Sequence, residues 1–116
     1  DSSITVETQV EDRFLKKVRN IITGQLENPQ FGVALLCQEL GISQPQLYRK
    51  IKALTNTSTA GYIKTVRLHQ ARALLQSSGL TVAEVAYKVG YSDPSYFTKS
   101  FSSEFGYLPS KLAGRE

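Results

Sequence analysis

The sequence predicts an all-α fold of seven helices, in which two helix-turn-helix motifs are joined by a long linker helix. Three observations support this prediction. Apolar residues recur every three or four positions along most of the 116 residues, which is the period of an amphipathic helix. Glycine, proline and hydroxyl side chains divide the chain into segments of helical length. Finally, the pattern that begins at Val33 is repeated from Val82, 49 positions later.

The chain divides into an N-terminal segment, residues 1–30, which we call the leader, and one helical domain. Residues 1–10 have no helical period and are interpreted as a linker or tail. Residues 11–30 are interpreted as an N-terminal helix, about 11–27, that leads into the domain and that Asn28 and Pro29 terminate. The domain, 31–116, is predicted to hold a first unit at 33–54, a linker helix at 59–76, a second unit at 82–105 and a last short helix at 109–113.

The second unit has the clearer signature of a helix, a tight turn and a second helix. Gly90 can adopt the positive φ that ends a helix, Ser92 or Asp93 can cap the next one, and Pro94 suits a first helical turn. After the cap, phenylalanine recurs every fourth residue, so one face of the helix is predicted to be buried. The phenylalanines are Phe97, Phe101 and Phe105.

The first unit repeats this chemistry. Gly41, Ser43 and Pro45 align with Gly90, Ser92 and Pro94, and one extra residue is expected to enter the second unit after the prolines. Leu47 and Ile51 then match two of the phenylalanines. Two units that share turn chemistry and a buried face are typical of a duplicated helix-turn-helix.

In each unit, the face of the second helix opposite its buried face is polar, and we call this face the front. A polar front suits the DNA major groove, which is about 12 Å wide. Net charge agrees, because residues 31–116 contain ten Lys and Arg against five Asp and Glu, whereas residues 1–30 contain four against five. A linker of roughly 27 Å, at about 1.5 Å per residue, suits two reading helices placed in successive major grooves about 34 Å apart. Such a monomer is expected to contact double-stranded DNA at two adjacent segments.

The candidate DNA-binding residues lie on these two fronts and at their helix N-termini. Arg49 is the strongest candidate for reading a base, by bidentate pairing to guanine, and Lys50 and Lys52 are expected at phosphates. The backbone N–H groups after Ser43 and Ser92 are also suited to phosphates. The full set is Ser43, Gln44, Pro45, Gln46, Tyr48, Arg49, Lys52, Ser92, Asp93, Ser95, Tyr96, Thr98 and Lys99.

The linker helix has an unusually wide apolar arc, which predicts that it packs against neighbours on two sides. Its narrow polar face is formed by Thr65, His69, Arg72 and Gln76. Arg67 falls between the two apolar sides, where a charge needs a partner. Glu84 is our hypothesis for that partner.

Several classes of function are disfavoured by composition. A single cysteine cannot form an internal disulfide, and no residues cluster as metal ligands, so no metal and no cofactor are expected. The lone histidine and scattered carboxylates do not form a catalytic constellation, so an enzyme is not predicted. Without an apolar run of about 18 residues or a signal peptide, a cytoplasmic location without membrane contact is expected. The start at Asp1 and the absence of methionine suggest a piece of a longer protein.

Three stretches resemble the DNA-binding domain of the AraC/XylS family of bacterial transcription regulators, over about residues 31–112. They are LGISQPQLYRKIKALT, YIKTVRLHQARALLQ and AEVAYKVGYSDPSYFTKSFSSEFGYLP. The resemblance implies seven helices, two helix-turn-helix motifs and binding to promoter DNA, with RNA polymerase as a further partner. By position, it also implies that six residues face DNA, namely Gln46, Tyr48, Arg49, Ser95, Thr98 and Lys99.

The leader has a resemblance of its own. EDRFLKKVRNIITGQLENPQF is similar to the corresponding part of output domains in response regulators and hybrid two-component sensors. This implies a receiver or sensor domain upstream of Asp1. Two alternatives stay open at this point. One is the DNA-binding domain of a one-component regulator that senses a ligand, and the other is a helical module that binds a protein through Tyr48 and Tyr96.

Overall fold

The computed structural model describes residues 6–113, with side chains from residue 9 onward, and there it contains seven α-helices and no strand. The predicted all-α, seven-helix fold is therefore confirmed. The helices are α1 (Val6–Gly24), α2 (Val33–Leu40), α3 (Gln44–Thr55), α4 (Thr59–Ser77), α5 (Val82–Lys88), α6 (Pro94–Phe105) and α7 (Ser110–Ala113).

The leader is more helical than the sequence predicted. Helix α1 begins at Val6, so residues 6–10 are not a linker, and residues 1–5 lie outside the described part of the chain. A spacing of four residues from Val6 through Val10 to Phe14 is the period of a helix and is compatible with this earlier start. The helix also ends earlier than predicted, at Gly24, where a sequence of backbone turns takes over.

The buried residues form two separate hydrophobic clusters, one for each helix-turn-helix unit. The first cluster joins α1, α2, α3 and the first half of α4, with Ile22, Leu36 and Leu47 fully buried. The second joins the rest of α4 to α5 and α6. Helix α4 contributes Ile63 and Val66 to one cluster and other side chains to the other. The predicted packing of this helix on two sides is therefore confirmed.

Helix α6 is anchored by its aromatic back. Phe97 and Phe101 are fully buried, and their ring centroids lie 5.8 Å apart. Phe105 is half-buried, with its ring centroid 4.6 Å from that of Phe101. Because these rings fix one face of α6 against the core, the opposite face is held toward solvent.

The turn of the second unit is one residue longer than the turn of the first, whereas the sequence predicted this extra residue after the prolines. Gly41 and Gly90 both have positive φ, 71° and 91°. Ser43 then caps α3, whereas Asp93, rather than Ser92, caps α6. The extra residue of the second unit therefore lies in the turn itself and not after the prolines, because the cap fixes where each helix begins.

The caps of α3 and α6 are expected to contribute to the stability of the fold. Ser43→Ala and Asp93→Ala each remove a side-chain acceptor for a backbone N–H at a helix start and are expected to lower the free energy of unfolding by about 1 kcal/mol. Ser92→Ala, in the exposed turn, is the matched control and is expected to change it by less than about 0.5 kcal/mol. Urea unfolding measures all three. A cost for Ser92→Ala equal to that for Asp93→Ala would contradict the assignment of the cap.

Candidate nucleic-acid interface

The start of α3 is held by a reciprocal cap. The Gln46 backbone N–H donates to Ser43 Oγ at 3.3 Å, and the Ser43 N–H donates to Gln46 Oε1 at 3.0 Å. This capping box fixes the angle at which the chain enters the helix. Gln46 therefore uses its side-chain oxygen locally, and its amide NH₂ is the part left to face a ligand.

The exposed face of α3 matches the predicted front. Leu47 and Ile51 are fully buried on the opposite face. Arg49 makes no hydrogen bond or ion pair within the described residues, so its guanidinium is available to a ligand. The candidate residues Ser43, Gln44, Pro45, Gln46, Tyr48, Arg49 and Lys52 are all exposed.

The two lysines beside Arg49 are less free. Lys50 Nζ lies 5.0 Å from the centroid of the Phe14 ring, on the side of α3 that meets α1. Lys52 Nζ donates to the carbonyl of Asn56 at 3.3 Å, at the C-terminal end of α3. Because a helix C-terminus carries partial negative charge, this contact stabilises the end of α3. Arg49 is thus the least engaged of the three cations.

The exposed face of α6 has fewer cations than that of α3. The Asp93 side chain accepts a hydrogen bond from the Ser95 N–H at 2.9 Å, which orients the first turn. Ser92, Asp93, Ser95, Tyr96 and Lys99 are exposed, and Thr98 is half-buried. The ring of Tyr96 rests near that of Tyr91, with 5.8 Å between centroids.

Residues of both fronts border the start of the linker helix. Pro45, Tyr48 and Arg49 line a groove with Ala60 at the start of α4. Asp93 and Tyr96 line a cavity of about 360 Å³ that also includes Ala60. Since Ala60 and Val33 border both, these residues of the two units lie beside the same part of the protein.

Lys64 is a candidate that the sequence analysis missed. It is exposed, lies one turn after Ala60 on α4, and borders the cavity between the two units. Its Nζ is 5.9 Å from the centroid of the Tyr96 ring. The sequence feature that points to Lys64 is its spacing of four residues from Ala60, which puts these two residues on one helix face.

The predicted polar face of the linker helix is engaged elsewhere. His69 Nε2 lies 3.4 Å from Glu104 Oε2, and the His69 ring meets Phe105 edge-on. The guanidinium of Arg72 lies over the same ring, 4.4 Å from its centroid. These side chains support the C-terminal end of α6.

The hypothesis that Glu84 is the partner of Arg67 is wrong. Glu84 Oε1 accepts from the Thr81 N–H in a capping box at the start of α5. The Arg67 side chain is buried and donates to four backbone carbonyls instead. Burial lowers the pKa of Arg67 below its usual value, but arginine remains charged in proteins. The carbonyl dipoles take the place of a carboxylate.

Two other kinds of site are absent from the described residues, 6–113. No group of histidine, cysteine and carboxylate side chains is arranged to hold a metal ion. No helix there is long and apolar enough to cross a bilayer.

Comparison with known proteins places the chain in a family. A sequence profile described as a helix-turn-helix domain matches residues 36–115, more than half of the chain. The chain is 36% identical to "Histidine kinase P4" of Formosa agariphila over 98% of this chain and 8% of the kinase. It is 33% identical to the Msm operon regulatory protein of Streptococcus mutans over 85% of this chain and 35% of that protein. The chain thus spans only a small part of these curated relatives.

Solved structures share the fold. The C-terminal domain of the two-component response regulator yesN from Fusobacterium nucleatum has a TM-score of 0.75 and 25% identity, over 87% of this chain and 98% of that one. The DNA-binding domain of AdpA, solved in complex with a target DNA, has a TM-score of 0.76 and 27% identity, over 86% and 89%. Profile, relatives and fold agree, and the chain belongs to the AraC-type helix-turn-helix family, the DNA-binding domains of transcription regulators, which is not a family of enzymes.

Proposed function

We propose that this DNA-binding domain binds promoter DNA sequence-specifically through two adjacent major-groove segments, as the output domain of a two-component regulator. The observation that supports it best is that both units border the same part of α4, where Arg49 and Tyr96 each line a cavity together with Ala60. Each front is exposed while the opposite helix face is buried in a hydrophobic cluster. A rigid helix with a polar front suits the major groove.

The two fronts are proposed to have different roles. Arg49 has a planar fork of donors and no partner within the described residues, which suits bidentate contact with a guanine edge. Lys99 is the only Lys or Arg among the exposed candidates of α6, beside Ser95 and Tyr96. Lys64, between the units, is proposed to contact a phosphate of the intervening backbone.

In the full-length protein, this domain is proposed to be one part of a two-component regulator. The kinase relative matches over nearly the whole chain, leader included, and one structural neighbour is the C-terminal domain of a response regulator. Both support a receiver or sensor domain upstream, which regulates access to promoter DNA and RNA polymerase in the cytoplasm. In the full-length protein, phosphorylation of a receiver aspartate is expected to change DNA affinity. An effect of a small-molecule inducer instead, with no phosphorylation, would favour the one-component alternative.

The salt dependence of binding tests the proposed function against a protein-interaction module. Four to six phosphate contacts are expected to lower DNA affinity about 10²–10³-fold between about 50 and about 200 mM salt, because released counterions drive association. Fluorescence anisotropy with labelled promoter DNA, selected from a random pool, measures this. Undetectable binding at low salt would refute the proposal. Salt-resistant binding to a protein partner through Tyr48 and Tyr96 would support the rival.

A pair of substitutions separates base contact from phosphate contact. Arg49→Ala is expected to cost about 1–3 kcal/mol on the preferred site and to relax preference at one base pair. Lys64→Ala is expected to weaken all sequences equally and to reduce the salt slope by about 1. Competition binding with single-base variants of the site measures both. If the two substitutions exchanged these behaviours, the proposed roles of Arg49 and Lys64 would be incorrect.

A further inference from the structure

One buried side chain connects segments from different parts of the fold. Arg67 Nη1 donates to the carbonyl of Leu26 at 2.8 Å and to that of Val89 at 2.6 Å. Its Nη2 donates to Asn28 at 3.1 Å and to Phe31 at 3.3 Å. Three of these carbonyls belong to the connection between α1 and α2, and the fourth follows α5. A single planar group therefore joins the entry to the first unit with the turn of the second.

Arg67 is the buried polar connection between the two units, whereas the Lys88–Glu27 ion pair that joins the same segments, with 3.8 Å between Nζ and Oε2, is exposed. Among the buried core residues, α4 is the only helix represented in both clusters. Hydrophobic burial is non-directional, so two clusters on one helix do not by themselves fix the angle between the units. A guanidinium fixes the direction of each hydrogen bond, because its donors lie in a rigid plane.

The turn of the second unit is shaped to meet this group. A Cβ added to Gly90 would overlap Arg67 Nη1 and lie 2.5 Å from the Leu26 carbonyl oxygen. Gly41 occupies the same place in the first unit, also with positive φ, and a Cβ there would meet nothing within 4 Å. The close approach is therefore a property of the second unit alone and not of the turn type.

We propose that Arg67 is a positioning residue, which fixes the orientation of the two units and thereby the spacing of DNA segments that the domain prefers. The inference rests on the proposed function, since it assigns a cause to the two-segment geometry. When the units are held at one angle, binding of the first raises the effective concentration of the second at a correctly spaced segment. Loosening the angle lowers that concentration and admits other spacings.

Arg67→Lys is the first variant to test. Lysine keeps the positive charge, but its single nitrogen ends one bond short of the position of Nη1 and has no counterpart of Nη2, so it cannot keep the four contacts of the guanidinium. Affinity for DNA with a single segment is expected to stay within about twofold, because neither front changes. Affinity for two segments at the optimal spacing is expected to fall roughly tenfold, as rigid linkage is lost. The ratio between optimal and altered spacings is expected to decrease as well.

Gly90→Ala disturbs the same contact from the other side, and Gly41→Ala is its matched control. Both place alanine at positive φ, but only the first displaces Arg67. The spacing profile is the affinity measured against the spacing of the two DNA segments, and it is flattened when the ratio between optimal and altered spacings decreases. Gly90→Ala is therefore expected to flatten the profile as Arg67→Lys does, and Gly41→Ala to retain the wild-type profile. Leu75→Ala, in the second cluster, controls for lost stability, since it removes buried surface without touching the guanidinium. It is expected to lower Tm and leave the profile unchanged.

The outcomes distinguish this inference from the proposed function. The positioning role is overturned, with DNA binding intact, if folded Arg67→Lys and Gly90→Ala retain the wild-type spacing profile. It is also overturned if Leu75→Ala flattens the profile as much as they do, because general destabilisation then explains the effect. Absence of any binding by the wild-type domain overturns the proposed function itself.

Discussion

Helix α4 must bury two different faces at once, and the arrangement of the domain depends on this constraint. Nineteen residues at about 1.5 Å each give the helix a length of about 28 Å. Ile63 and Val66 pack into the first cluster, and Leu68, Ala71 and Leu75 pack into the second. A helix buried on one side only would support one compact unit. Burial on two sides produces two units, neither of which has a complete core without the helix between them.

The same constraint places the polar fronts. Leu47 and Ile51 in one unit, and Phe97 and Phe101 in the other, turn inward to reach their clusters. The faces opposite them are therefore exposed. Aromatic burial anchors the second unit strongly, whereas Lys99 is the only cation on its front. The first unit has the freer cation in Arg49, and Lys64 adds a charge between the two. A division between an anchored unit and a more cationic one is consistent with these contacts.

Periodicity and turn chemistry were sufficient to predict the seven helices, the two-sided linker and the exposure of the fronts. These features depend on local spacing, such as the phenylalanines at every fourth residue of α6. The position of the extra residue was not predictable in this way, because Ser92 and Asp93 are both good caps and only the backbone decides between them. The partners of Arg67 were hidden for a different reason. Residue types do not show where backbone carbonyls lie, so a carboxylate was the predicted partner, and Glu84 instead caps its own helix. Lys64 was not predicted because it lies outside the polar face of α4 and borders the cavity between the two units, which only the folded structure shows.

We propose that one molecule of this domain contacts DNA at two major-groove segments on one face. Hydroxyl-radical and methylation-interference footprinting of the isolated domain, on a site selected from random DNA, tests it most directly. We expect two groups of guanine contacts about 10 base pairs apart, on the same face of the duplex. A single group of contacts by a monomer, or two groups on opposite faces, would contradict it.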